Sequence, residues 1–232
     1  MMRIRRAHER GTFDHGWLKS AHTFSFGHYQ DPEHMGFRAL RVINDDIVGP
    51  GEGFGEHPHR DMEIITYPLS GAVRHRDSLG NEEDITHGMI QRMTAGRGIR
   101  HSEFNPSPDE PTHLLQMWIL PDATGHQPEH ESKTFPISEE TGRLHLLASG
   151  DGRDGSLRIH QDADLHAGVL GAGDRVALPL RPGRHAWVHV ARGSVVVNGE
   201  PLAPGDGAAI TDEPSVVIAT DDSGEVLVFD LA

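Results

Sequence analysis

Glycine-centred turns recur along this chain at the short spacing of a β-sandwich or barrel, and the N-terminal half offers no long amphipathic helix between them. Residues 37–48, FRALRVINDDIV, open with alternating apolar and polar positions and run into the Gly/Pro-rich PGEGFGEHPH, which reads as a strand followed by a loop. MEIITYPLSGAVRHRD reads as two strands around a Ser70-Gly71 turn, and SLGNEED supplies the next turn. ITHGMIQRMTAGRGIRHSEFN and HLLQMWILP carry further strand patterns. The 27 glycines and 15 prolines are spread along the chain rather than massed, as many short strands require. An all-β fold is expected.

The segment at 121–143, PDATGHQPEHESKTFPISEETGR, is polar and Pro-bearing and reads as a linker or an excursion between two units. Beyond it a second procession of short strands and Gly turns begins. TYPLSGAVRHRDSLGNEEDITHGMIQRM can be set beside VHVARGSVVVNGEPLAPGDGAAI, with strand, Gly turn, strand, Gly turn and strand in the same order, which suggests an internal duplication. With 232 residues, 36% of them hydrophobic, the chain is long enough for one large domain or two of ordinary size and can bury a sizeable core. We divide it at 1–132 and 133–232.

Thirty-five acidic residues against 21 basic ones give a formal charge of −14, which repels a phosphate backbone and speaks against direct nucleic-acid binding. The opening MMRIRRAHERG is basic with no apolar stretch behind it, so neither a secretory signal nor a membrane anchor is expected, and the expected location is the cytoplasm. Without cysteine there is no thiolate ligand or nucleophile, so a bound metal would need His, Asp or Glu. Eighteen histidines supply such ligands in excess, and position decides which of them matter.

In His57-Pro58-His59 the imidazoles are two residues apart, and on an extended backbone they leave the same face. His101-Ser102-Glu103 repeats the spacing after the flexible GRGIR. Two such pairs on neighbouring strands would present three imidazoles and a carboxylate, a donor set that suits a transition-type divalent ion without choosing among them. A lone HxH is as readily a pair of surface histidines; the second pair shifts the balance toward a metal site. The lead-ins GPGEGFGE and TAGRGI fit sharp backbone bends beside a cavity, or ordinary turn chemistry.

PGEGFGEHPHRDMEIITYPLSG followed by TAGRGIRHSEFNPS resembles the two metal motifs of the pirin family within the cupin superfamily. Gly51, His57, His59 and Glu63 match the first motif, and Gly98, His101 and Asn105 the second; HTFSFGHYQDP at 22–32 is also similar to pirin sequences. The resemblance implies a bicupin of two antiparallel β-barrel or jelly-roll (cupin) domains. It implies one metal-binding domain, with His57, His59, His101 and Glu103 as ligands, and a degenerate partner. Glu63, four residues beyond His59, would share a face with the histidines on an unbroken strand and is kept as the alternate ligand. In the second half RPGRHAWVHVARGS stands where the first motif would be, and His185 and His189 read as packing or surface residues.

Fe(II) is the first candidate for the ion, with Ni, Cu, Mn, Co or Zn as alternatives. The resemblance implies quercetin 2,3-dioxygenase activity on a small flavonol-like aromatic and dioxygen, with Glu103 as ligand and general base. Phe54, Met62, Gln91 and Met93 flank the motifs and read as pocket wall or core. The competing expectations are a metal- or redox-sensing regulatory protein acting through protein partners, and an inert bicupin that carries a small ligand.

Overall fold

The computed structural model describes residues 1–232. Four sheets account for nearly all of the regular structure, two of seven strands and two of four. In each half a large sheet faces a small one, as in a jelly roll, and the sheets do not close into barrels. Pairing is antiparallel throughout except between His145–Ser149 and the short strand Leu157–Arg158. No helix is long and apolar enough to cross a membrane.

The largest core lies between the two seven-stranded sheets, where Ile43, Ile65, Tyr67, Leu115 and Met117 of the first meet Leu165, Trp187, Leu227 and Phe229 of the second. The two interiors are filled differently. In the second half Val188, Val190, Val195, Val197, Val216 and Ile218 pack the space between large and small sheets. In the first half only a small apolar group, including Leu18, Val48, Val73, Ile85 and Leu114, occupies part of that space. Buried polar side chains, among them Thr66, His75, Gln91, His101 and Glu103, occupy another part, and a cavity opens beside them.

Several local expectations meet their outcome here. Ser70-Gly71 is the turn between Glu63–Ser70 and Ala72–Asp77, with Gly71 at φ 73, a backbone conformation that favours glycine. PGEGFGEHPH, expected as a loop, contains the strand Gly53–His59, which pairs with Ile99–Phe104 despite its weak intrinsic preference for extended structure. A Cβ at Gly53 would come within 2.5 Å of the Phe104 Cα, so only glycine allows these strands to approach as they do.

The division expected at 132/133 falls inside the strand Glu129–Thr134, which pairs along its length with Met89–Thr94 in the first large sheet. The opening strand Met2–Arg5 pairs with Gly207–Thr211 at the edge of the second large sheet. Each half therefore contains chain that its place in the sequence does not suggest.

Candidate metal centre

Three imidazoles converge at one end of the first interior. His57 on Gly53–His59 lies directly opposite His101 on Ile99–Phe104, and His59 follows two residues on. The ring centroids form a near-equilateral triangle, with separations of 4.5 Å for His57–His101 and 4.8 Å for each of the other pairs. Their ligand atoms lie within 4.8 Å of one another. Between His101 and Glu103 the register shifts, because Glu103 pairs with Phe54 and the His57 strand carries one extra residue. This bulge bends the strand beside the site.

Hydrogen bonding fixes which nitrogens are free. His57 Nδ1 donates to the Gly55 carbonyl at 2.8 Å, which leaves Nε2 with its lone pair. His75 sits behind His101: its Nε2 meets Asp77 Oδ2 at 3.1 Å, and its Nδ1 accepts from Gln91 Nε2 at 2.9 Å. His101 Nδ1 lies 3.5 Å from that same His75 nitrogen. Two buried atoms, His59 Nε2 and His101 Nε2, have no hydrogen-bond partner in the protein.

Burial and the neighbouring imidazoles of His101 and His57 lower the His59 pKa to about 4. Burial, with the nearby His57 and His75, lowers that of His101 to about 3. Both rings are therefore neutral near pH 7, the form that binds metal. Buried, neutral, unpartnered nitrogens aimed at a common point fit a divalent ion in chemistry as well as in position.

Glu103 lies with His101 and His75 in an overlapping group whose ligand atoms are also within 4.8 Å of one another. Thr66 Oγ1 donates to Glu103 Oε1 at 3.1 Å, and Gln116 Nε2 donates to Oε2 at 2.5 Å. Since both His75 nitrogens already have partners, His75 reads as support for His101; Glu103 groups with His101 but not with the full triangle of His57, His59 and His101.

Glu63 stands elsewhere. The strand carrying His57 and His59 stops before Arg60 and Asp61, the latter at φ 48, and Glu63 opens a strand of the large sheet. It is fully buried, where Thr94 Oγ1 donates to its Oε2 at 2.9 Å and His160 Nδ1 of the second half lies 3.2 Å from its Oε1. Asn105 of the second motif serves the backbone, donating to the carbonyls of Val48, Gly49 and Glu110. Among the four flanking residues, Phe54 lines the cavity; Met62 and Met93 pack with Ile64 and Ile99, and Gln91 holds His75. His189 is buried in the second half, and His185 lies edge-on to Phe37 with ring centroids 6.4 Å apart.

The cavity beside the triangle has a volume of about 640 Å³, within the range of small-molecule sites. Its walls are aromatic: Phe13, Trp17, Phe26, Phe54 and Trp118. Trp118 packs edge-on against His59 at 4.9 Å and against Phe26 at 5.1 Å, joining the wall to the imidazoles. Ser20, His22, Asn44, Asp46 and Gln116 supply polar groups. Of these, only His22 falls in a segment that the sequence singles out, HTFSFGHYQDP; the other four and His75 do not stand out.

Residues 2–119 match the family model described as Pirin, and residues 146–231 match that of the quercetinase C-terminal cupin domain. The chain is 48% identical over 231 residues to a protein of Escherichia coli named quercetin 2,3-dioxygenase, covering 100% of this chain and 99% of that one. It is 44% identical to a pirin-like protein of Caulobacter vibrioides, covering 96% of each. Among solved structures, the bacterial pirin YhhW of Escherichia coli in complex with nickel(II) superposes with a TM-score of 0.95 at 48% identity, covering 100% of this chain and 99% of that one.

Proposed function

The chain belongs to the pirin family, and from that premise we propose that it is a metal-dependent dioxygenase of the quercetin 2,3-dioxygenase type, opening flavonols with dioxygen. The observation that carries this reading is an aromatic-walled cavity ending on three buried or half-buried imidazoles, two of which have unpartnered nitrogens. We assign His57, His59, His101 and Glu103 as the ligands. Fe(II) is the first candidate and nickel stands beside it, since the similar YhhW structure holds nickel(II). A cytoplasmic location remains part of the proposal.

Such an ion, when bound, supplies positive charge that favours a phenolate oxygen over the phenol and provides a route for dioxygen to react. The chain's own residues do the rest. Phe26, Phe54 and Trp118 offer flat apolar surface to a planar ring system and exclude water from it. Glu103 is the carboxylate at hand to take the proton from the flavonol 3-hydroxyl. Thr66 and Gln116 each donate a hydrogen bond to that carboxylate, which lies beside His101. In the overall reaction both atoms of dioxygen enter the product, the heterocycle opens to a depside, and one ring carbon leaves as carbon monoxide.

The test is aerobic turnover of quercetin by metal-reconstituted protein, with carbon monoxide and depside measured beside a His57→Ala, His59→Ala variant. Activity lost together with metal supports the enzyme. Metal-dependent binding of partner proteins with no turnover in either protein would replace it by a metal-sensing role.

A further inference from the structure

One row of directly paired residues crosses five strands of the first large sheet: Gln91, Thr66, Gln116, Asn44 and His22. Directly paired residues point to the same side of a sheet, here the side of the cavity and the metal centre. Three of the five have assignments already, Gln91 on His75 and the next two on Glu103. The last two make no hydrogen bond to the metal centre or its supports. Asn44 Oδ1 and His22 Nδ1 are buried without a hydrogen-bond partner, their residues are 4% and 8% exposed, and both line the cavity.

We propose that Asn44 and His22 form a distal polar subsite that receives the hydroxyl groups of the aromatic ring farthest from the metal centre. The proposal rests on the flavonol reading for the identity of the ligand, but its residues lie outside the assigned ligand set. A buried acceptor without a donor is costly, and the native fold keeps two of them side by side, so a ligand carrying paired hydroxyl donors would satisfy both at once. Side chains of directly paired residues start about 5 Å apart, a spacing that two hydroxyls on a single ring can serve.

The neighbouring row shows the contrast. Ser20 and Asp46 are also paired across the same two strands and line the same wall, but the Ser20 hydroxyl donates to the Asp46 carboxyl and the pair satisfies itself. The His22 ring is held between Phe13 and Phe26, at centroid distances of 4.9 Å and 5.2 Å, so its edge is aimed before any ligand arrives. Burial lowers its pKa to about 4, so the ring is neutral rather than a cation, and a hydrogen bond to the Phe26 backbone falls to Nε2 and leaves Nδ1 as the acceptor. The aromatic walls select a planar polyphenol over an aliphatic polyol.

The test is calorimetric titration of nickel-loaded protein, kept free of oxygen, with quercetin, with galangin, which lacks hydroxyls on its pendant ring, and with resorcinol. Quercetin is expected to bind about tenfold more tightly than galangin, as one or two added hydrogen bonds allow. That gap should close in both His22→Phe and Asn44→Leu while each variant keeps its nickel. His22→Phe keeps the test open should Asn44→Leu fail to fold. Equal binding of the two flavonols by the parent protein, or a gap that survives in the folded variants, overturns the subsite and leaves the flavonol reading standing. If neither flavonol binds but resorcinol does, and the variants lose it, the subsite stands and the flavonol reading fails. If resorcinol fails as well, both fall.

Discussion

His57 and His101 face each other as a direct cross-strand pair, with ring centroids 4.5 Å apart. Their meeting depends on the register between two strands that are more than 40 residues apart in the chain, since a slip of one residue would turn the imidazoles of one strand away from the other.

Replacing His101 with Ala should therefore remove the ion rather than weaken its hold slightly, because His101 presents a buried, unpartnered Nε2 to the centre. The expected loss of affinity exceeds the roughly 10–100-fold typical of a supporting residue. Elemental analysis after dialysis measures it. Full metal content in this variant would place the ion elsewhere.

Gln116→Leu and Thr66→Val each take one hydrogen bond from the Glu103 carboxylate and leave the three imidazoles intact. Metal affinity should fall by about 10–100-fold in each, measured by titration against a competing chelator. Unchanged affinity in both would mean that Glu103 does not depend on their support.

Glu63→Ala separates the two candidate carboxylates. Metal content should stay at that of the parent, while chemical denaturation shows a loss of about 1–3 kcal/mol from Thr94 and His160 left without their acceptor. Loss of the ion in a folded Glu63→Ala variant would reinstate Glu63 as a ligand.

The two HxH and HxE pairs were legible because a spacing of two on a strand is a local property, readable without knowing the partner strand. What they face was not. Asn44, Asp46, Thr66 and Gln116 alternate with Ile43, Ile65, Leu115 and Met117, a pattern that ordinarily marks water on one side and core on the other. Here both sides are buried: the apolar set meets the second half, and the polar set faces the cavity or the groups that line it. The row from Gln91 to His22 exists only through the register of five strands, which no single segment announces. Glu129–Thr134 read as part of a linker because an edge strand largely open to solvent needs no apolar face. The break that carries Glu63 away turns on the positive φ of Asp61, a residue with no special mark in the sequence.

A pH dependence follows from His189, which is fully buried with neither ring nitrogen partnered. Burial lowers its pKa to about 4, against 6.5 for an ordinary imidazole. The unfolded chain takes up a proton near pH 6.5 that the folded protein refuses, so this contribution is complete above that value and is lost as the pH falls from 6.5 through 4. Chelator-treated protein should lose about 2 kcal/mol from this residue between pH 7.5 and 5. In denaturant titrations, the fall in stability between the two pH values should be smaller by that amount in His189→Leu than in the parent. An equal decline in both would assign the acid sensitivity to other groups.

The pairing of Met2–Arg5 with Gly207–Thr211 ties the order of synthesis to the order of assembly. Residues 2–5 have their place beside residues that emerge some 200 positions later, so that border of the second half's large sheet is covered by chain made long before it. No single cut between the two halves yields two self-sufficient pieces, because the C-terminal fragment would present the bare margin of Gly207–Thr211 to any other chain it met.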